Sequence, residues 1–230
     1  GRWSPKNYSG GFRGRMTLAD ALAKSINTIA VKLSLDVGRD KVLANLNKMG
    51  ITRLKKTCSL ALGDSGLTPL EHTGGYAVFA AGGLEVRPYA IEEIHTLQGG
   101  QLYSHETDEP ARKQIFDRKV VETLNTMLQG VVLNGTGKAA QLDFTYSAGK
   151  TGTSSNYRDA WFIGFTGQYV VGVWVGNDDF TPMSRVTGGS FPAQTWHNFL
   201  VMAHDTDNIP PIPGIAPHPV QVAEQERLAQ

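Results

Sequence analysis

A single cysteine, Cys58, occurs in the 230 residues. A lone thiol cannot form an internal disulfide, and no metal-ligand spacing surrounds it. The six histidines are scattered, with no H-E-x-x-H among them, so neither a metal site nor a cofactor is suggested. An excess of one charge is also missing. With 22 basic and 21 acidic residues the formal net charge is +1, and no basic block marks a nucleic-acid surface. The uncharged stretch from Ala160 up to Asp178 is broken by Gly164, Gly167, Gly172 and Gly176 together with Gln168. Its valines and aromatics therefore read as a β-hairpin rather than a membrane span. No signal peptide is visible. The chain opens without Met on a loop-like Arg2-Trp3-Ser4-Pro5, which leads us to expect a piece of something larger.

What is present is material for one substantial globular domain, with a hydrophobic fraction of 40%. Its most unusual stretch is Tyr146-Ser147-Ala148-Gly149-Lys150-Thr151-Gly152-Thr153. A strand bare of side chains at Gly149 and Gly152 marks a place where another backbone or a ligand comes close. Its edge could hold an extended peptide by main-chain hydrogen bonds, and the ammonium of Lys150 with the hydroxyls of Thr151 and Thr153 would suit a terminal carboxylate. Other readings compete. A phosphate-binding loop, G-x-x-x-x-G-K-[ST], would need glycine where Phe144 stands. A plain Gly-rich edge strand is the reading that holds if nothing else in the chain agrees. Ser147-Ala148-Gly149-Lys150 also spells the S-x-x-K of serine nucleophiles, but residues three apart on a strand point to opposite faces.

In chain order, residues 1 to 16 read as a Gly-rich loop. Thr17 caps a helix whose stripe runs Leu18, Leu22, Ile26, Ile29, Leu33. A second helix spans about Arg39 to Met49, with Val42, Leu43 and Leu46 inward and Gly50 as its stop. Thr68-Pro69-Leu70-Glu71 is a strong helix start, leading to Gly82-Gly83. A β-rich segment, 86 to 105, turns at a two-residue Gly99-Gly100 hairpin. Asp117 caps a helix with Val120, Val121, Leu124, Leu128 and Val131 on one side, ended by Gly135-Thr136-Gly137. Residues 159 to 166 and 169 to 177 form a hairpin through Gly167, and a last helix covers about Pro192 to His204. Strands early and late with helices between imply one mainly antiparallel sheet covered by helices. Residues 206 to 230, with Ile209-Pro210-Pro211-Ile212-Pro213, read as a linker and a disordered tail, separate from a domain over 1 to 205.

Ser25-Ile26-Asn27, followed 125 positions later by Lys150-Thr151-Gly152-Thr153, resembles the S-x-N and K-T-G motifs of the penicillin-binding transpeptidases. Trp3-Ser4-Pro5-Lys6-Asn7-Tyr8, Leu22-Ala23-Lys24-Ser25-Ile26-Asn27-Thr28, Thr68-Pro69-Leu70, Tyr76-Ala77-Val78-Phe79-Ala80 and Asp159-Ala160-Trp161-Phe162 extend the likeness to the bifunctional, glycosyltransferase-linked class over residues 1 to 204. The resemblance implies a mixed α/β fold, a mainly antiparallel five-stranded sheet flanked by helices, here incomplete. It also places the S-x-N motif on a turn between two helices, because a continuous helix would set Ser25 and Asn27 about 200° apart. The family's nucleophile lies in an S-x-x-K upstream of S-x-N. Apart from Ser147 no such motif occurs, so the chain is expected to begin after it.

The implied chemistry is acyl transfer from a peptidoglycan stem peptide ending in D-Ala-D-Ala, through a serine ester that a neighbouring stem's amine resolves. By resemblance, Ser25 relays a proton to the leaving amine, Asn27 holds the donor amide and the upstream Lys, and Lys150 supplies positive potential. Thr151 and Thr153 hold the carboxylate, Gly152 keeps the strand open, and the Thr153 N–H is an oxyanion donor. β-Lactams would acylate the same upstream serine. The expected partners are stem peptides, β-lactams and the upstream portion of the same protein. The expected location is the extracytoplasmic (periplasmic) face of the bacterial membrane, reached through an N-terminal anchor outside this chain. A β-lactamase-like hydrolase and a non-catalytic module that holds stem peptides or a partner protein remain as alternatives.

Overall fold

The structure, a computed structural model, describes residues 3–8, 10–205 and 208–228; Gly1, Arg2 and Ser9 of the expected opening loop and residues 206, 207, 229 and 230 of the expected tail lie outside them. The helices are α1 (Leu18–Ala23), α2 (Asn27–Val37), α3 (Arg39–Lys48), α4 (Pro69–Ala80), α5 (His105–Asp108), α6 (Arg118–Asn134), α7 (Phe191–Ala203) and α8 (Pro219–Leu228). The strands are β1 (Glu93–His95), β2 (Gln101–Ser104), β3 (Ala148–Thr153), β4 (Asp159–Phe165) and β5 (Val170–Gly176). The mixed α/β class is as expected, but the five strands do not form one sheet. Among the described residues β3-β4-β5 make an antiparallel three-stranded sheet and β1-β2 a separate hairpin. No helix among the described residues is long and apolar enough to cross a membrane.

Local sequence explains most of the boundaries. The Thr17 hydroxyl accepts the Asp20 N–H, Thr68 and Glu71 close a capping box with Pro69 at the first turn, and Asp117 accepts the Val120 N–H. Each side chain satisfies an orphan donor at a helix start. Two details differ from the sequence reading. The β1–β2 connection is a five-residue loop, Thr96 to Gly100, closed by Thr96 N–H donating to Gly100 O, not a two-residue turn. Val120 is 65% exposed, because it lies about 100° around the helix from Val121, on whose face Leu128 and Val131 also enter the core.

β4 is buried along most of its length, since both faces of the sheet are covered. Phe162 packs edge-on against Trp196 of α7, ring centroids 5.4 Å apart, and the Trp196 indole N–H donates to Val171 O at 3.1 Å. On the opposite face Phe165 joins Leu128 of α6, with Tyr76 and Phe79 of α4 against them. Alternation along one strand thus feeds two cores.

The expected linker and disordered tail are corrected by the same core. Ile209, Ile212 and Ile215 are buried, with Ile212 and Ile215 packed beside Leu128, Ala148 and Phe165. The Asn125 amide of α6 donates to both Phe79 O and Pro213 O, and α8 follows. Proline-rich composition suggests a solvated spacer; here Pro210 and Pro211 are exposed, Pro213 is half-buried, and the isoleucines among them fill the core. Truncating Ile212 to Ala should therefore lower stability by roughly 2–5 kcal/mol. A urea melt checks this, and a midpoint unchanged from wild type would return the segment to linker status.

Candidate active site

Helix α1 ends in a tight left-handed turn at Ser25. The Ser25 N–H donates to Leu22 O and the Ile26 N–H to Ala21 O, the paired bonds of a Schellman motif. The residue at its left-handed position is normally glycine; here it is Ser25, at φ 54°. A short polar side chain tolerates that conformation better than a bulky one, and the backbone there throws the serine hydroxyl out of the helix stripe. The apolar stripe accordingly splits into α1 and α2, as the family resemblance implied. Helix α2 has no capping side chain of its own; Asn7 Oδ1 accepts the Thr28 N–H at 3.2 Å instead. Asn27 Nδ2 donates to Lys6 O at 2.9 Å. The 3–8 loop and the serine turn are thus one unit.

Across from that turn runs β3, whose second edge pairs with no strand among the described residues. Ser154 N–H donates to Asp159 O, and the register sets Thr153 opposite Ala160. By antiparallel alternation Gly149, Thr151 and Thr153 then aim their backbone groups at the open edge. Lys150 Nζ donates to Ser25 Oγ at 2.8 Å and to Thr151 O at 3.0 Å. Burial lowers the Lys150 pKa to about 8, since a desolvated ammonium is disfavoured relative to the neutral amine. Ser147 is buried and its hydroxyl donates to Ala140 O, so it points away from Lys150 and its S-x-x-K spelling is accidental.

The two threonines are also engaged. Thr151 Oγ1 lies 2.6 Å from Thr136 Oγ1, and Thr153 Oγ1 accepts the Gly188 N–H at 3.0 Å. At the end of the strand Tyr157 reaches back to Tyr8, their hydroxyls 2.9 Å apart, so the 3–8 loop touches both walls. Of the residues singled out from sequence, Ser25 and Lys150 meet directly, and Thr151, Gly152 and Thr153 follow on the same strand. Asn27 shares the serine turn, but its amide nitrogen is turned to Lys6. Sequence reasoning missed Asn7, Thr136 and Gly188. Gly135-Thr136-Gly137 carries the signature of a helix stop, which masks Thr136, and the signal at Gly188 is its pairing with Gly189, a sign of close backbone approach.

The chain matches the penicillin binding protein transpeptidase domain over residues 1–195. It is 41% identical over 188 residues to penicillin-binding protein 1A of Aquifex aeolicus, covering 82% of this chain and 26% of that protein. Penicillin-binding protein 1A from Haemophilus influenzae superposes with a TM-score of 0.79 at 24% identity, covering 92% of this chain and 38% of that one. The PonA1 protein of Mycobacterium tuberculosis, in a complex with penicillin V, gives 0.79 at 21% identity, covering 93% and 65%. The chain spans about a quarter to a third of the length of the curated relatives it matches. On the match over 195 residues and the 41% identity, the chain belongs to the penicillin-binding protein transpeptidase family.

Proposed function

We propose that this chain forms two walls of the active site of a peptidoglycan D,D-transpeptidase, a serine acyltransferase that cross-links stem peptides and is acylated by β-lactams. The observation that carries the reading is the 2.8 Å contact of Lys150 Nζ with Ser25 Oγ at the open edge of β3. A lysine with its pKa lowered to about 8, bonded to a hydroxyl, can pass a proton along that pair near neutral pH. The nucleophilic serine and its lysine would come from sequence outside these 230 residues, because Ser147 of the S-x-x-K spelled here points into the core.

In the reaction the external serine Oγ attacks the penultimate D-Ala carbonyl of the donor stem. The amide C–N bond breaks, D-Ala leaves as an amine that takes a proton relayed through Ser25, and an acyl ester remains. An amine from a second stem then attacks the ester and frees the serine. Thr151 and Thr153 hydrogen-bond the terminal carboxylate, with the Lys150 charge behind them. The outward Thr153 N–H is one oxyanion donor. Gly152 leaves space along the edge for the donor backbone, and Asn27, its Nδ2 on Lys6, offers its amide oxygen to the external lysine. By resemblance, the parent protein works on the extracytoplasmic side of the bacterial membrane, where stem peptides are.

Intact-mass measurement after incubation with benzylpenicillin tests the assignment. The 230-residue chain, shown folded by circular dichroism, should gain no adduct, and the protein joined to its S-x-x-K segment should gain one. An adduct on the isolated chain, or none on the joined protein, overturns it. The acylation rate of the joined protein should also fall as pH rises through about 8. Deprotonating Lys150 removes the positive charge that draws the ligand carboxylate, so the protonated form is the active one on this limb. A rate flat across that range would exclude Lys150 from carboxylate binding.

A further inference from the structure

Where α6 ends, a three-residue turn is wedged between the two walls. A Cβ at Gly135 would overlap Ala23 O, the carbonyl just before Lys24-Ser25, and would lie 2.8 Å from Val131 O. The Thr136 N–H donates to that same Ala23 O at 3.1 Å. On its other side the Thr136 hydroxyl meets Thr151 Oγ1 at 2.6 Å. A Cβ at Gly137 would come within 3.0 Å of Phe162. Thr136 is thus tied to the serine-bearing helix by its backbone and to the K-T-G strand by its side chain, and it remains exposed at the site.

The proton inventory gives this contact a direction. Each threonine hydroxyl has one proton to donate, and a carboxylate only accepts. If Thr151 donates to the substrate carboxylate, the 2.6 Å contact can persist as a hydrogen bond only with Thr136 as donor. Thr136 then holds the Thr151 oxygen from behind, points its proton toward the ligand, and strengthens that donation by polarising the hydroxyl.

We propose that Thr136 is a positioning residue that sets the Thr151 hydroxyl for recognition of the ligand's carboxylate, and so a determinant of the preference for carboxylate-bearing ligands. The inference rests on the transpeptidase reading of the same site.

The test uses the full-length protein with its nucleophile segment, and compares acylation by benzylpenicillin and by its methyl ester. Thr136→Val should slow benzylpenicillin about tenfold, by mis-setting the charge-assisted hydrogen bond from Thr151 to the carboxylate, and change the ester rate by less than about twofold on the same grounds. The ester rate also reports that the variant is folded. Thr136→Ser should restore the benzylpenicillin rate, and Thr136→Val added to Thr151→Val should cost nothing more. Equal slowing of acid and ester, or a loss additive with Thr151→Val, assigns Thr136 a purely structural role and overturns the proposal. Wild-type protein inert to both compounds would instead defeat the transpeptidase reading, and this inference with it.

Discussion

An ammonium group withdrawn from water must find acceptors inside the protein, and for Lys150 these are Ser25 Oγ and Thr151 O. Much of the surrounding structure serves that requirement. Ser25 can reach the lysine only because α1 stops in a left-handed turn. The turn holds its place because Ala23 O is bonded to Thr136 and Asn27 is bonded to Lys6. The lysine is pre-aimed because β3 is clamped to β4 over its whole length. A hydroxyl and an amine brought together across 125 residues owe their contact to these supports, not to local preference.

Sequence showed the parts of this arrangement that are local. Capping residues and their partners lie three positions apart, so Thr17, Thr68 and Asp117 announced their helices. The hairpin of β4 and β5 was visible in its β-branched and aromatic residues. The serine turn was not visible from periodicity, because Leu18 to Leu33 keep an unbroken helical stripe and the left-handed residue is a serine where glycine would have signalled the stop. The Asn7 cap on α2 comes from 21 residues away, and no window along the chain contains both partners. The division into three strands and two was hidden for a related reason: a short alternating strand has the same pattern whether it joins the main sheet or pairs alone.

The C-terminal stretch shows composition and spacing in conflict. Prolines at 210, 211 and 213 lower the propensity for regular structure, yet Ile209, Ile212 and Ile215 recur every third residue. A turn between the last two, closed by the Ile215 N–H donating to Ile212 O, lets all three be buried, while Pro210 and Pro211 remain exposed. Gly214, at φ 85°, allows the chain to turn against α6; a Cβ there would stand 2.5 Å from Glu122 Cβ. The period of the isoleucines carried more information than the proline content, because burial of apolar area, not backbone regularity, is what holds the segment down.

The bare positions of β3 bear on how a ligand would enter. At Gly149 the absent side chain makes room for β4, since a Cβ would lie 2.6 Å from Ile163 O. At Gly152 the 187–190 segment lies against the strand: a Cβ on Gly188 would overlap Trp161 O and stand 2.5 Å from Gly152 O. On the other face Trp161 and Lys150 flank the glycine, as the pairing of Gly152 with Trp161 and of Lys150 with Ile163 dictates. Both faces are therefore occupied by protein, and approach to the K-T-G strand is left to its unpaired edge. On the proposed reading, a peptide entering there would pair with the outward N–H and C=O groups of alternate residues, which would set its register and bring its terminal carboxylate to Thr151 and Thr153.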